Sequence, residues 1–213
     1  MRFKLARKGA ALLCLVVAMG LSGCFGSTQP SRFYMLSSLK GPETAQLAAA
    51  TERGATVAVG PLIIPDYLDR PEIVTRAGQN EVRINEYQRW SGTVEGNLSR
   101  AIIGDLSVQL PSDHFSVVRW IPAVQGSMPI AYRVMVDVMR FDAFQGGAVF
   151  LEADWTIYGK DRSIELTRKS SISGKAGGPD FTDLVAAMSK AAEDLSREIA
   201  AGITSLEQKE PAK

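Results

Sequence analysis

A single histidine and two cysteines among 213 residues leave most catalytic chemistries short of parts. A Ser/His/Asp or Cys/His hydrolase needs an imidazole beside its nucleophile, and the one imidazole, His114, sits in the loop-like Ser112-Asp113-His114 after Pro111. One imidazole without a free thiol builds no recognisable zinc site, so no metal and no cofactor is expected. No Gly-x-Ser-x-Gly elbow, Walker loop or dinucleotide fingerprint occurs, which removes support for an ATPase or a dehydrogenase. Charge of one sign is missing too: 24 basic against 23 acidic residues give no field that would hold nucleic acid. Glu152 and Asp154 share a strand face, where solvation explains them. The Gly-rich residues 174–179 run into Asp180 and Asp183, whose charge repels an anion at that helix start.

What the sequence has is an asymmetric N-terminus. Arg2, Lys4, Arg7 and Lys8 precede an apolar run over residues 10–21, the basic and hydrophobic regions of a secretory signal. That run is well short of the ~20 residues that span a bilayer. It stops at Leu21-Ser22-Gly23-Cys24, which matches the lipobox of bacterial lipoprotein precursors; the alternative is an ordinary cleaved signal with a chance cysteine. With Cys24 acylated and Cys14 removed with the signal, the mature protein keeps no disulfide. Cleavage leaves 190 residues with 20 basic and 23 acidic side chains, a formal charge of −3. Multiple acylation gives a permanent anchor. Phe25, rather than Asp, after the Cys implies export to the outer membrane by resemblance to the enterobacterial sorting rule. The expected organisation is a signal peptide (1–23), a lipidated tether (24–32), a periplasmic domain (33–206) and a frayed tail (207–213).

Hydrophobic periodicity outlines that domain. Residues 32–36 and 56–59 read as strands, and residues 72–76 and 81–86 as a hairpin around Gly78-Gln79-Asn80. From Val94, apolar residues recur every three or four positions to Leu110, an amphipathic helix ended by Pro111. Residues 115–120 form a short strand. Three alternating runs, 131–144, 148–158 and 163–173, predict an antiparallel meander with Val134, Val136, Leu151, Trp155 and Ile164 inward. Asp180 caps a last helix to Leu206. The expected fold is α+β: a single antiparallel or mixed sheet with two amphipathic helices on one face.

Between these elements, Asp69-Arg70-Pro71 and Arg89-Trp90 place charged and aromatic residues in irregular, Pro-punctuated chain. Such residues often serve interfaces. Local structure explains them at least as well: Asp69 accepting loop amides, Pro71 fixing the backbone and Trp90 covering the first helix's base.

The lipobox, Phe33-Tyr34-x-Leu36, Gly60-Pro61, Pro65-x-Tyr67-Leu68-Asp69-Arg70-Pro71-x-Ile73-Val74-x-Arg76 and Arg89-Trp90 together resemble the PqiC/YmbA family of lipoproteins, auxiliary components of ABC-type transport systems. The resemblance continues through Phe141, Gly146-Gly147, Leu151 and Trp155. Glu72 departs from it, standing where the family more often has Gln. It implies a non-enzymatic, outer-membrane-anchored docking subunit of an MCE-type intermembrane phospholipid transport system. The implied partners are a PqiB-like MCE-domain periplasmic tunnel protein and, through it, an inner-membrane component, with the outer-membrane lipid engaged by acylated Cys24. Because MCE proteins form symmetric rings, a homo-oligomer or several bound copies are expected. The expected partner-binding residues are Tyr67, Leu68, Asp69, Arg70, Pro71, Arg76, Arg89 and Trp90. A lipid carrier with its own apolar cavity, and an envelope hydrolase without recognisable motifs, are the alternatives.

Overall fold

The computed structural model describes residues 29–39, 54–122, 129–144 and 146–209. The expected signal, Cys24, the connection over residues 40–53 and the last four residues lie outside them. Residues from Ser31 onward form one compact unit.

Among the described residues, eight strands and two long helices build the domain: β1 (Arg32–Tyr34), β2 (Ala55–Ile63), β3 (Glu72–Arg76), β4 (Val82–Trp90), α1 (Val94–Gln109), β5 (Phe115–Arg119), β6 (Tyr132–Ala143), β7 (Ala148–Tyr158), β8 (Ile164–Lys175) and α2 (Phe181–Glu207). The 3-10 turn Asp66–Leu68 joins β2 to β3. A five-stranded sheet runs β5-β2-β6-β7-β8, with β2 parallel to both neighbours and β6, β7 and β8 an antiparallel meander. Val134, Val136, Val138, Leu151, Trp155 and Ile157 line its inner face, and α1 and α2 cover it. One methyl-sized detail permits close packing. A Cβ at Gly202 of α2 would sit 3.0 Å from both Trp155 and Leu166, so only glycine lets the helix approach β7 and β8 there.

The expected single sheet is overturned. A second, three-stranded sheet, β1-β4-β3, stands beside the first. Pairing of β2 with β6 ends at Ile63↔Asp137, after a register shift between Val59 and Leu62, and the Pro65-led turn then lifts the chain away. β6 runs on to Ala143 alongside β7. The hairpin β3–β4 takes β1 as its third strand, and its backbone pairs with the main sheet at the single bridge Arg76↔Phe144. Ile73, Val74 and Thr75 are all buried in succession, so both faces of β3 are covered. A strand covered on two faces shows no alternation from which to assign it to a sheet. Two smaller expectations also change: Ile164 is 66% exposed rather than inward, and Asp180 occupies the N-cap of α2 without a side-chain capping hydrogen bond.

Residues 35–39 run as a strap against the two helices. The Leu36 amide donates to Asn97 Oδ1 (3.3 Å), Ser37 to Ser189 Oγ (3.0 Å) and Leu39 to Asp105 Oδ1 (2.7 Å). Asp105 is fully buried, and its other oxygen and Gln109 Oε1, one turn along, have no partner. Burial pushes the Asp105 carboxyl up to about 6, with Glu193 acting in the same sense against the Leu39 amide and Lys190. The folded state therefore holds the proton more tightly than the unfolded chain. Stability falls as pH rises from the unfolded value of 3.8 to about 6, and the whole cost is present above it. Asp105→Asn keeps an acceptor for Leu39 and removes the charge. It is expected to raise stability at pH 7 by about 1–3 kcal/mol and to flatten the pH dependence between 4 and 6 in urea denaturation.

Candidate functional site

The motif segment 65–76 is shaped around one carboxylate. Asp142 of β6 has no solvent exposure, and it accepts from Arg76 Nε (2.7 Å), Arg140 Nε (2.9 Å) and the Tyr67 hydroxyl (3.3 Å). Arg140 also lies 3.6 Å from Glu152 and 4.0 Å from the centre of the Phe150 ring. Two guanidinium groups thus face two carboxylates, and the cluster is neutral as a whole. Burial, then the charge and hydrogen bond of Asp142, raise the Tyr67 phenol above its ordinary value, and Asp142's hydrogen bond raises Arg76 likewise. Arg76 further caps the β3–β4 turn by donating to the Gln79 carbonyl at 2.8 Å.

The sequence-selected residues divide into two sets. Tyr67 and Arg76 point inward to Asp142, while Leu68 and Trp90 belong to the hydrophobic core at 3% and 4% exposure. Asp69 and Pro71 are exposed at the tip, with Arg70 and Arg89 half-buried beside them. The tip is rigid for local reasons. Leu68 and Asp69 amides donate to Pro65 and Asp66 carbonyls, and the Trp90 amide donates to the Pro71 carbonyl at 2.7 Å. Glu72 pairs with Arg89 at 3.2 Å, so the position that departs from the family pattern holds one of the expected partner-binding residues. Arg70 Nε is buried without an acceptor. Cys24 lies outside the described residues.

Asp142 and Arg140 were not legible as site residues. Between Val138 and Arg140 the β6–β7 register shifts, so alternation counted from Tyr132 assigns both residues to the wrong face. His114 is exposed beside Asp113 at 3.4 Å, remote from this cluster in kind and partners. Among the described residues, no group of three or more His, Cys, Asp and Glu side chains could hold a metal, and no helix is long and apolar enough to cross a membrane.

A family model described as the ABC-type transport auxiliary lipoprotein component matches residues 34–200. The chain belongs to that family. Its match spans the motif loop, Asp142 and α2 as far as Ala200, so the family resemblance covers most of the packed domain. The intermembrane transport lipoprotein PqiC of Escherichia coli strain K12 is 21% identical over 189 residues, covering 88% of this chain and 96% of that protein. The PqiC of Shigella flexneri matches to the same extent. Among solved structures, a protein from Xanthomonas campestris has a TM-score of 0.64 at 17% identity, over 84% of this chain and 98% of its own. An uncharacterized protein gives 0.65 at 18% identity, over 82% and 99%. These two show the shared fold.

The cluster predicts a graded series. Asp142→Ala strands two buried-side guanidinium groups and is expected to cost about 3–5 kcal/mol. Tyr67→Phe removes one hydrogen bond and is expected to cost about 1 kcal/mol. Chemical denaturation of the two variants checks the order, and equal costs would remove Asp142 from its central place.

Proposed function

We propose that this protein is a docking subunit of an MCE-type intermembrane phospholipid transport system, anchored to the outer membrane through acylated Cys24. Residues 1–23 act as the export signal and residues 24–32 as the tether. It works without catalysis, with a PqiB-like MCE-domain tunnel protein and through it an inner-membrane component, as a homo-oligomer or in several copies. The observation that carries the reading is the motif loop: a tip exposing Asp69 and Pro71, held rigid from behind by Tyr67 and Arg76 on Asp142. Pre-ordered, charged tips lose little entropy when a partner binds. Membership of a transport auxiliary lipoprotein family and the kinship with PqiC support it. The carrier reading gains less. The gap lined by Leu68, Trp90, Val94, Phe141 and Met188, beneath the motif loop, is too small for a water molecule.

The shortness of the proposed tether fits the same role. β1 begins at Arg32, eight residues after Cys24, so the tether reaches less than ~30 Å at full extension.

Two outcomes test the reading. Asp69→Lys is expected to reduce recovery of an MCE-domain protein in pull-downs from solubilised envelopes by about tenfold, with a thermal midpoint shifted by less than about 2 °C. Parallel loss of stability would make Asp69 a structural residue instead. Cys24→Ala should move the protein from the outer-membrane fraction, and retention there would remove the anchor from the proposal.

A further inference from the structure

The outer face of β6, turned away from the helices, carries an arginine cluster at each end, and the two ends are treated differently. At one end Arg140 is neutralised by Asp142 and Glu152 and roofed by the motif loop. At the other end Arg133 makes no hydrogen bond or ion pair among the described residues. Its guanidinium lies 5.3 Å from the centre of the Trp120 ring and 4.6 Å from that of Tyr158. An open cleft of about 650 Å³ is lined by these three residues with Lys160 and Arg162 at its rim. No acidic side chain lines it among the described residues.

The chain is built to hold this arrangement. Ala58 stands opposite Arg133 in the β2–β6 register and is fully buried. Gly60, at φ 136°, keeps the place of Trp120, because a Cβ there would fall 3.3 Å from Trp120 Cβ. The Trp120 amide is tied to the Val59 carbonyl at 2.8 Å. Its indole N–H is buried without an acceptor. Arg162, with φ 67°, sits in a left-handed turn position that is uncommon for a side-chain-bearing residue, and its amide closes the turn on Gly159. Asp161, next to it, is engaged with Ser163.

The geometry points to a binding site for a phosphate-bearing ligand of about the size of a glycerophospholipid headgroup. Three cations that make no ion pair among the described residues call for an anion of more than one negative oxygen. A guanidinium braced by aromatic faces presents its planar fork with little rotamer freedom left to lose, which suits phosphate better than an ammonium would. The rings flanking it pair apolar faces with polar edges, as a ligand with a charged head and an organic body requires. The cleft shares no residue with the Asp69 loop, so this assignment stands independently of the docking role.

Trp120 supplies its own reporter, since Trp90 and Trp155 are buried in the core. The full chain in non-ionic detergent is titrated with glycerophosphoethanolamine, with inorganic phosphate and with sodium chloride at matched ionic strength, following tryptophan emission and heat. A saturable response to a phosphate probe, absent with chloride, is expected. Tighter response to the glycerophosphodiester assigns the site to a lipid headgroup, and tighter response to inorganic phosphate assigns it to free phosphate. Arg133→Ala should weaken binding by about tenfold, and Arg162→Asn, which suits a left-handed turn, by about threefold. Both variants should still capture the MCE-domain protein. No saturable response, equal response to chloride, or binding unchanged by both substitutions would overturn the site.

Discussion

The buried Asp142 carboxylate is the point on which the two sheets depend. It sits on the outer face of β6, which the helices leave uncovered, and takes hydrogen bonds from β3 through Arg76 and from the β2–β3 turn through Tyr67. An unpaired carboxylate there would be strongly destabilising, so the hairpin must dock with Arg76 in place before the main sheet is satisfied. Arg140, itself shared with Glu152, completes the charge balance. The same contacts that join the sheets therefore set the angle at which the Asp69 tip projects.

A second buried carboxylate works in a different manner. Asp105 binds the strap amide of Leu39, and burial lifts its carboxyl against the pull of that amide and of Lys190. The strap follows β1. Its three amides are caught by side chains from both α1 and α2, which couples the chain's point of entry to the helical layer. Asp142 fastens the second sheet from one side of the main sheet, and Asp105 fastens the entering chain on the other.

In the proposed reading, function belongs to surfaces. The motif loop offers a rigid charged tip, and the Arg133 cleft offers unpaired positive charge between aromatic rings. Both lie on parts of the domain that the helices do not cover. They differ in what neighbours supply: Arg76 and Arg140 behind the loop are consumed by Asp142 and Glu152, whereas Arg133 has no ion-pair partner among the described residues.

The residues by themselves determined the helices, the β6–β7–β8 meander and the resemblance to a lipoprotein family, because each rests on local periodicity or a short contiguous motif. Val94 to Leu110 and Phe181 to Leu206 trace stripes that only a helix buries on one side. The motif residues were also visible, yet their division was not. Tyr67 and Arg76 look like Asp69 and Arg70 in a sequence, and it is Asp142, 75 residues from Tyr67, that turns the first pair inward. The two-sheet arrangement depended on where β2 leaves β6 and on a strand buried on both faces, neither of which has a period. The cleft needed Trp120, Arg133 and Tyr158 from three elements to meet. Sequence determines what a segment can bury along its own axis, and only tertiary packing decides which charges find a partner across the fold and which are left for a ligand.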